Sequence, residues 1–165
     1  MPRIILIIHN VRSAYNVGSL LRTADALGIS KVYFSGFSPY PEAPRDRRLP
    51  HVRARATSQI HKTALGAEKM LAWQYVTDIS SLLQRLGRKN YLVAALEQSP
   101  KSQTLQSYRT ERDVALILGN EVTGLEADVL KHADVYLEIP MLGNKESLNV
   151  VVAAGIALYH LRYHA

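Results

Sequence analysis

Six short apolar runs, separated by stretches of helical period, set the plan of this chain. Ile4 to Ile8, Lys31 to Phe34, Trp73 to Val76, Tyr91 to Leu96, Val114 to Leu118 and Val135 to Ile139 read as strands. Continuous β-branched runs such as Ile4 to Ile8 mark strands buried on both faces, which is the habit of parallel sheets. Between them, Leu20, Leu21, Ala24 and Leu27 recur at helical spacing over Asn16 to Leu27, and Gly28 follows as a stop. A helical pattern also covers Ser58 to Met70, weakened at Gly66. Another runs from an Asp78 cap to Leu86 with Gly87 as its end, and a third over Leu125 to His132. Strands alternating with helices predict an α/β fold, a mostly parallel sheet with helices on both faces.

Two stretches break the alternation. Ser35 to Pro50 holds four prolines and two bulky aromatics and reads as a long irregular loop, a kind usually functional or disordered. Glu97 to Arg112 is polar with little period. The last strand runs into Ile139-Pro140-Met141-Leu142-Gly143-Asn144-Lys145-Glu146-Ser147-Leu148-Asn149, followed by the apolar Val150 to Tyr159. Pro140 stops strand pairing, and Gly143 permits a turn or a close approach to a ligand. Ser147 or Asn149 can cap a helix. That helix is apolar all round, so it is expected to lie in a core or against another subunit, holding the polar loop still.

A length of 165 residues predicts one domain over 1–165, large enough to need no covalent staple. The absence of cysteine excludes disulfide and thiolate chemistry. With no signal-like opening and no run of about 18 apolar residues, the expectation is a cytoplasmic protein without a membrane partner. The net charge is +6, and +5 of it falls between Arg45 and Lys62, from Arg45, Arg47, Arg48, Arg53, Arg55 and Lys62 against Asp46 alone. Basicity concentrated in this way points to a polyanion such as RNA.

Chemistry gathers in three places. Asn16-Val17-Gly18-Ser19-Leu20-Leu21-Arg22 opens the first helix, where a helix N-terminus with a nearby glycine favours anions. Asn16 and Arg22, under two turns apart, are expected to face one crevice. Gly119-Asn120-Glu121-Val122-Thr123-Gly124-Leu125 sets a carboxylate between glycines at the carboxyl end of a strand, where α/β ligands bind. The third is the 139–149 loop. No GxGxxG fingerprint and no GxxxxGK[ST] loop occurs, which disfavours a Rossmann dehydrogenase or an NTPase. His160 and His164 have metal-like i, i+4 spacing without a third ligand nearby, so no metal is expected.

In series, these three motifs resemble the SpoU/TrmH family of RNA ribose 2′-O-methyltransferases of the SPOUT superfamily. Asn16-x-Gly18-x-x-x-Arg22 resembles its first motif and Gly119-Asn120-Glu121-x-x-Gly124-Leu125 its second. Ile139-Pro140-Met141-x-Gly143-x-x-x-Ser147-Leu148-Asn149-Val150 resembles its third. Val151, where a small hydroxyl residue is usual, and His160, where an acid often follows Leu-Tyr, depart from the pattern. The resemblance implies a deep C-terminal trefoil knot, S-adenosylmethionine as methyl donor, tRNA or rRNA as substrate, and a homodimer with composite active sites. It places adenosyl contacts at Leu96, Gly119, Ile139, Met141 and Leu148, and gives Arg22, Asn16, Glu121, Ser147 and Asn149 to catalysis and orientation.

The ribose hydroxyl must lose its proton as it attacks the sulfonium methyl, with oxygen, carbon and sulfur in line. Stripping an arginine of its proton near neutral pH costs about 7.5 kcal/mol, so Arg22 is favoured as a phosphate clamp over a general base. A catalytically weak or inactive RNA-binding member of the same fold is the alternative; a methyltransferase acting on a base or a protein side chain is a third reading.

Overall fold

The computed structural model describes residues 1–164. Seven strands form one sheet: β1 (Ile4–His9), β2 (Lys31–Ser35), β3 (Trp73–Val76), β4 (Leu92–Leu96), β5 (Gln103–Thr104), β6 (Val114–Leu118) and β7 (Val135–Glu138). Their order is β3-β2-β1-β6-β4-β7-β5, and every adjacent pair is parallel. The apolar runs have their explanation here. β1 lies between β2 and β6, all six of its residues are buried, and its two sides enter different cores.

Ile4, Leu6 and Ile8 pack under helices α1 (Ala14–Ala26), α2 (Pro50–Ala64), α3 (Ala67–Met70) and α6 (Val150–Tyr163). Ile5 and Ile7 pack under α4 (Ile79–Arg88) and α5 (Ala127–Leu130). The sheet therefore carries helices on both faces, as expected.

Several local expectations shift. The first helix starts at Ala14 because Ser13, rather than a later residue, caps it, its hydroxyl accepting the Asn16 N–H at 3.2 Å. The second begins at Pro50, not Ser58. Proline is suited to the first helical position, where its missing N–H would have no partner, so the proline that reads as loop is a helix start. α4 runs past Gly87 to Arg88, and the turn is taken by Asn90 at φ 64°. Within the polar stretch after β4, Gln103–Thr104 pairs with β7 and Leu105 enters the core.

α1 and α2 pack most closely at Gly18. A Cβ there would run into the Ile60 carbonyl oxygen and the Thr63 hydroxyl, so only glycine lets the two backbones meet. Gly18 thus serves helix packing and not an anion at the helix start. α6 is only half covered within the chain. Ala154, Ala157, Leu158 and Leu161 are buried against the sheet and α1, whereas Val152, Ile156, Tyr159 and Tyr163 are 42–55% exposed. Its uniform apolarity therefore does not make it a buried core helix within one copy.

Candidate active site

Helices and strands deliver the second and third motifs to one cleft. It measures about 320 Å³, within the range of small-molecule sites, and lies at the carboxyl ends of β4, β6 and β7. Leu96, Gly119, Ile139, Met141 and Leu148, the residues expected to contact an adenosyl group, all line it, as do Glu121 and Ser147. The apolar members offer walls for a flat aromatic group, and the loop backbones offer hydrogen bonds. The 120–124 loop is closed on itself by paired Asn120 and Gly124 backbone bonds at 3.1 and 3.0 Å. The Asn120 side chain stiffens it, accepting the Val122 and Thr123 N–H groups.

Glu121 is held from the first motif. Its Oε1 accepts from Asn16 Nδ2 and its Oε2 from the Arg12 backbone N–H, both at 3.1 Å. Arg22 lies elsewhere, correcting the expectation that it shares a crevice with Asn16. It is exposed on a different face of α1, in a separate concavity with Ser19, Thr23, Lys62, Thr63, Gly155 and Tyr159. The physical reason is helical geometry: six residues place Arg22 about 240° around the axis from Asn16 at 100° per residue. No hydrogen bond or ion pair of its guanidinium occurs among the described residues. Asn149 caps α6, one of the two roles expected of it: its Oδ1 accepts the Val151 N–H at 2.8 Å. Gly143 has no neighbour within 4 Å and no positive φ, so the fold itself makes no demand for glycine there.

The basic patch divides in two. Arg48 is a structural residue: its guanidinium bonds both Asp46 oxygens and the Tyr40 and Pro41 carbonyls, and it stacks on the Tyr40 ring at 3.5 Å. With those donors satisfied internally, it is withdrawn as a phosphate ligand. Hydrogen bonding to Arg48 pulls the Asp46 carboxyl down to about 2. Arg53 is partly engaged, with Glu42 at 3.3 Å and the Asp46 carbonyl. Arg45, Arg47, Arg55 and Lys62 are exposed and form no ion pair among the described residues.

Beside the cleft lies a buried network that pattern reading passes over. His9 and Ser35, ending β1 and β2, are 6% and 0% exposed. His9 Nε2 meets Glu126 Oε2 at 3.0 Å and Nδ1 meets the Ser35 hydroxyl at 2.8 Å, which puts the ring proton on Nε2 because a carboxylate only accepts. Asn10, at φ 55°, donates to Glu126 Oε1 at 2.5 Å, and its own carbonyl accepts from Asn120 Nδ2 at 2.9 Å. Burial pushes the Glu126 carboxyl up, but its own backbone N–H, His9 and Asn10 together hold it below the usual value. Glu97, missed likewise, lines the cleft and accepts the Leu125 N–H at 2.9 Å. Its signal in the sequence was a carboxylate directly after a buried strand.

His160 and His164 stack ring on ring at 5.1 Å, and His160 Nε2 meets the Tyr108 carbonyl at 2.8 Å. Among the described residues no group of three or more His, Asp or Glu side chains is placed to hold a metal ion. No helix among them is long and apolar enough to cross a membrane.

Comparison with known proteins agrees with this architecture. A 23S rRNA (guanosine-2′-O-)-methyltransferase RlmB of Coxiella burnetii is 32% identical over 161 residues, 98% of this chain and 58% of that protein. The chain thus spans little more than half the length of the curated relatives it resembles. The crystal structure of an AdoMet-bound rRNA methyltransferase from Sinorhizobium meliloti superposes with a TM-score of 0.80 at 24% identity, covering 98% of this chain and 56% of that one. That of the A. aeolicus TrmH/SpoU tRNA modifying enzyme gives 0.79 at 24% identity, covering 97% and 74%. At these identities the two structures speak for the fold. The SpoU rRNA Methylase family aligns over residues 3–159, and the chain belongs to it.

Proposed function

We propose that this chain, as one SpoU-type methyltransferase unit over 1–165, transfers a methyl group from S-adenosylmethionine to a ribose 2′-hydroxyl of RNA. The observation that carries the reading is convergence. Five residues from three separate segments, Leu96, Gly119, Ile139, Met141 and Leu148, line one small cleft with Glu121 at its edge. The cleft fits the donor in size and in its apolar walls with loop carbonyls and N–H groups. When bound, the donor supplies an electrophilic sulfonium methyl; Glu121 and Ser147 stand where they can orient the groups beside it. The relative named for a 23S rRNA guanosine makes rRNA the first substrate to test and tRNA the second. Such an activity belongs in the cytoplasm, with its RNA.

Arg22 lines a concavity separate from the cleft of its own chain, and the exposed apolar stripe of α6 borders that concavity through Gly155 and Tyr159. A homodimer through α6 and part of α1 resolves both facts, covering the stripe and bringing Arg22 of one copy to the cleft of the other. Arg22 then acts as a clamp on phosphate or on the hydroxyl whose charge develops. The C-terminal knot is part of the same reading. It rests on the membership of the family.

The test is methyl transfer from labelled S-adenosylmethionine to rRNA and tRNA transcripts, followed by digestion to nucleosides. A 2′-O-methylnucleoside is expected. Label on a base or on protein, or tight RNA binding without transfer, would sink the proposal in favour of one of its rivals.

A further inference from the structure

The chain has two phenylalanines, and their environments are opposite: Phe34 is fully buried, while Phe37 is 61% exposed. A single exposed apolar side chain is ordinary. What sets Phe37 apart is how firmly its backbone is held on both sides. Its own N–H donates to Asn10 Oδ1 at 3.1 Å. Gly36 before it sits at φ 64°, its Cα pressed against the Asn10 amide so that no Cβ fits, and its carbonyl accepts the Tyr75 hydroxyl at 2.9 Å. Ser38 after it is 3% exposed; its hydroxyl donates to the Ile8 carbonyl at 3.0 Å and accepts the Val11 N–H at 3.1 Å.

The same support extends to the basic loop and the site. Tyr75 stacks on Tyr40 at 4.4 Å, and Arg48 stacks on the same Tyr40 ring at 3.5 Å, so the loop bearing Arg45 and Arg47 and the Phe37 turn form one unit. Asn10, which fixes Phe37, is itself fixed by Glu126 and by Asn120 of the Glu121 loop. β2 lies two strands from β6, about 10 Å at the usual spacing of ~4.8 Å, so Phe37 stands at the same end of the sheet as the cleft.

We propose that Phe37 is a stacking platform for a nucleobase of single-stranded RNA, a base neighbouring the nucleotide seated at the cleft. The inference rests on the RNA-methylating reading above and gives its substrate a shape: an unpaired segment with a splayed base. An aromatic ring held rigid and exposed loses little freedom when a base settles on it, and stacking is indifferent to base identity because every base has a π face. Exposed Arg45, Arg47 and Arg55 nearby in the chain supply the charge that draws the backbone in.

The experiment uses the whole chain and two probes of equal length and charge, a 12-nucleotide oligoadenylate and its abasic counterpart. Wild type is expected to bind the oligoadenylate more tightly. Phe37→Leu should weaken that binding about tenfold while leaving the abasic oligomer and the salt slope unchanged, and Phe37→Tyr should restore it. In methyl transfer, Phe37→Leu should raise KM for RNA with kcat retained. Equal wild-type affinity for the two probes, no binding of either, or a Phe37→Leu chain that binds both as wild type overturns the proposal. A wild type that discriminates the probes, with the discrimination lost in Phe37→Leu, yet transfers no methyl group upholds the platform and removes the methyltransferase reading instead.

Discussion

Asn16 Nδ2 donates to Glu121 Oε1 at 3.1 Å across 105 residues of sequence. The bond ties the first turn of α1 to the loop after β6, and with it the first motif to the second. Glu121 satisfies a second donor, the Arg12 N–H, so one carboxylate closes the joint. Glu121→Ala leaves both donors without a partner at a half-buried site. A loss of stability of about 1–1.5 kcal/mol is expected. Methyl transfer should fall much further than the melting temperature implies. Turnover that tracks stability alone would reduce the joint to scaffolding.

Arg22→Lys keeps a charge but loses the planar fork, so a bidentate clamp fails while attraction at a distance persists. Methyl transfer should drop about a hundredfold to a thousandfold, as for loss of one preorganised donor. Affinity for S-adenosylmethionine should hold, because Arg22 is proposed to clamp the RNA whereas the donor rests on the cleft's own lining, Leu96, Gly119, Ile139, Met141 and Leu148. A clamp leaves the mutant slow at every pH, whereas a base role would let lysine recover activity in alkali.

The placement of Arg22 away from Glu121 makes a mixing experiment decisive. Arg22→Lys and Glu121→Ala chains, each inactive, are unfolded and refolded together. In a dimer with composite sites, each mixed pair holds one intact site, so about a quarter of wild-type activity should return. No recovery would show that Arg22 and Glu121 serve within one chain or not together.

Arg45 and Arg47 should behave differently from their neighbour Arg48. Reversing the first two is expected to weaken RNA binding and flatten its salt slope by about 0.7–0.9 per lost phosphate contact, at unchanged stability. Arg48→Ala instead removes the partner of Asp46 and the Tyr40 stack, and should loosen the loop. The Asp46 carboxyl lies lower in the folded chain than its ordinary 3.8. Its contribution is therefore present above pH 3.8 and lost as pH falls toward about 2. Fluorescence of Trp73, whose ring lies 6.3 Å from Tyr40, should report that loosening in wild type and lose the acid transition in Asp46→Asn.

Gly18→Ala is expected to destabilise the fold by about 1–3 kcal/mol, since the added methyl meets backbone of α2 that cannot give way. Thermal unfolding would show it. A neutral outcome would mean that α1 and α2 part freely.

The inner strands were legible in the sequence because burial on both faces leaves no polar alternation to read, and Val114–Leu118 holds to the residue; the half-buried edge strand Trp73–Val76 was legible instead from its aromatic and β-branched residues. The cleft was legible through the second and third motifs, whose residues line it. Pro50 reads as loop because a missing N–H disqualifies it everywhere in a helix except the first turn, where it starts α2. Which of Ser147 and Asn149 caps α6, whether Arg48 meets phosphate or Asp46, and which way Arg22 faces are not properties of residue type. Each depends on what the folded chain places within about 3 Å, and a hydrogen-bonding group engaged inside the molecule is no longer offered outside it. His9, Asn10 and Glu126, at positions 9, 10 and 126, carry no period that links them. Only the parallel pairing of β1 with β2 and β6 brings them together, so that the turn bearing Phe37 was decided by tertiary structure alone.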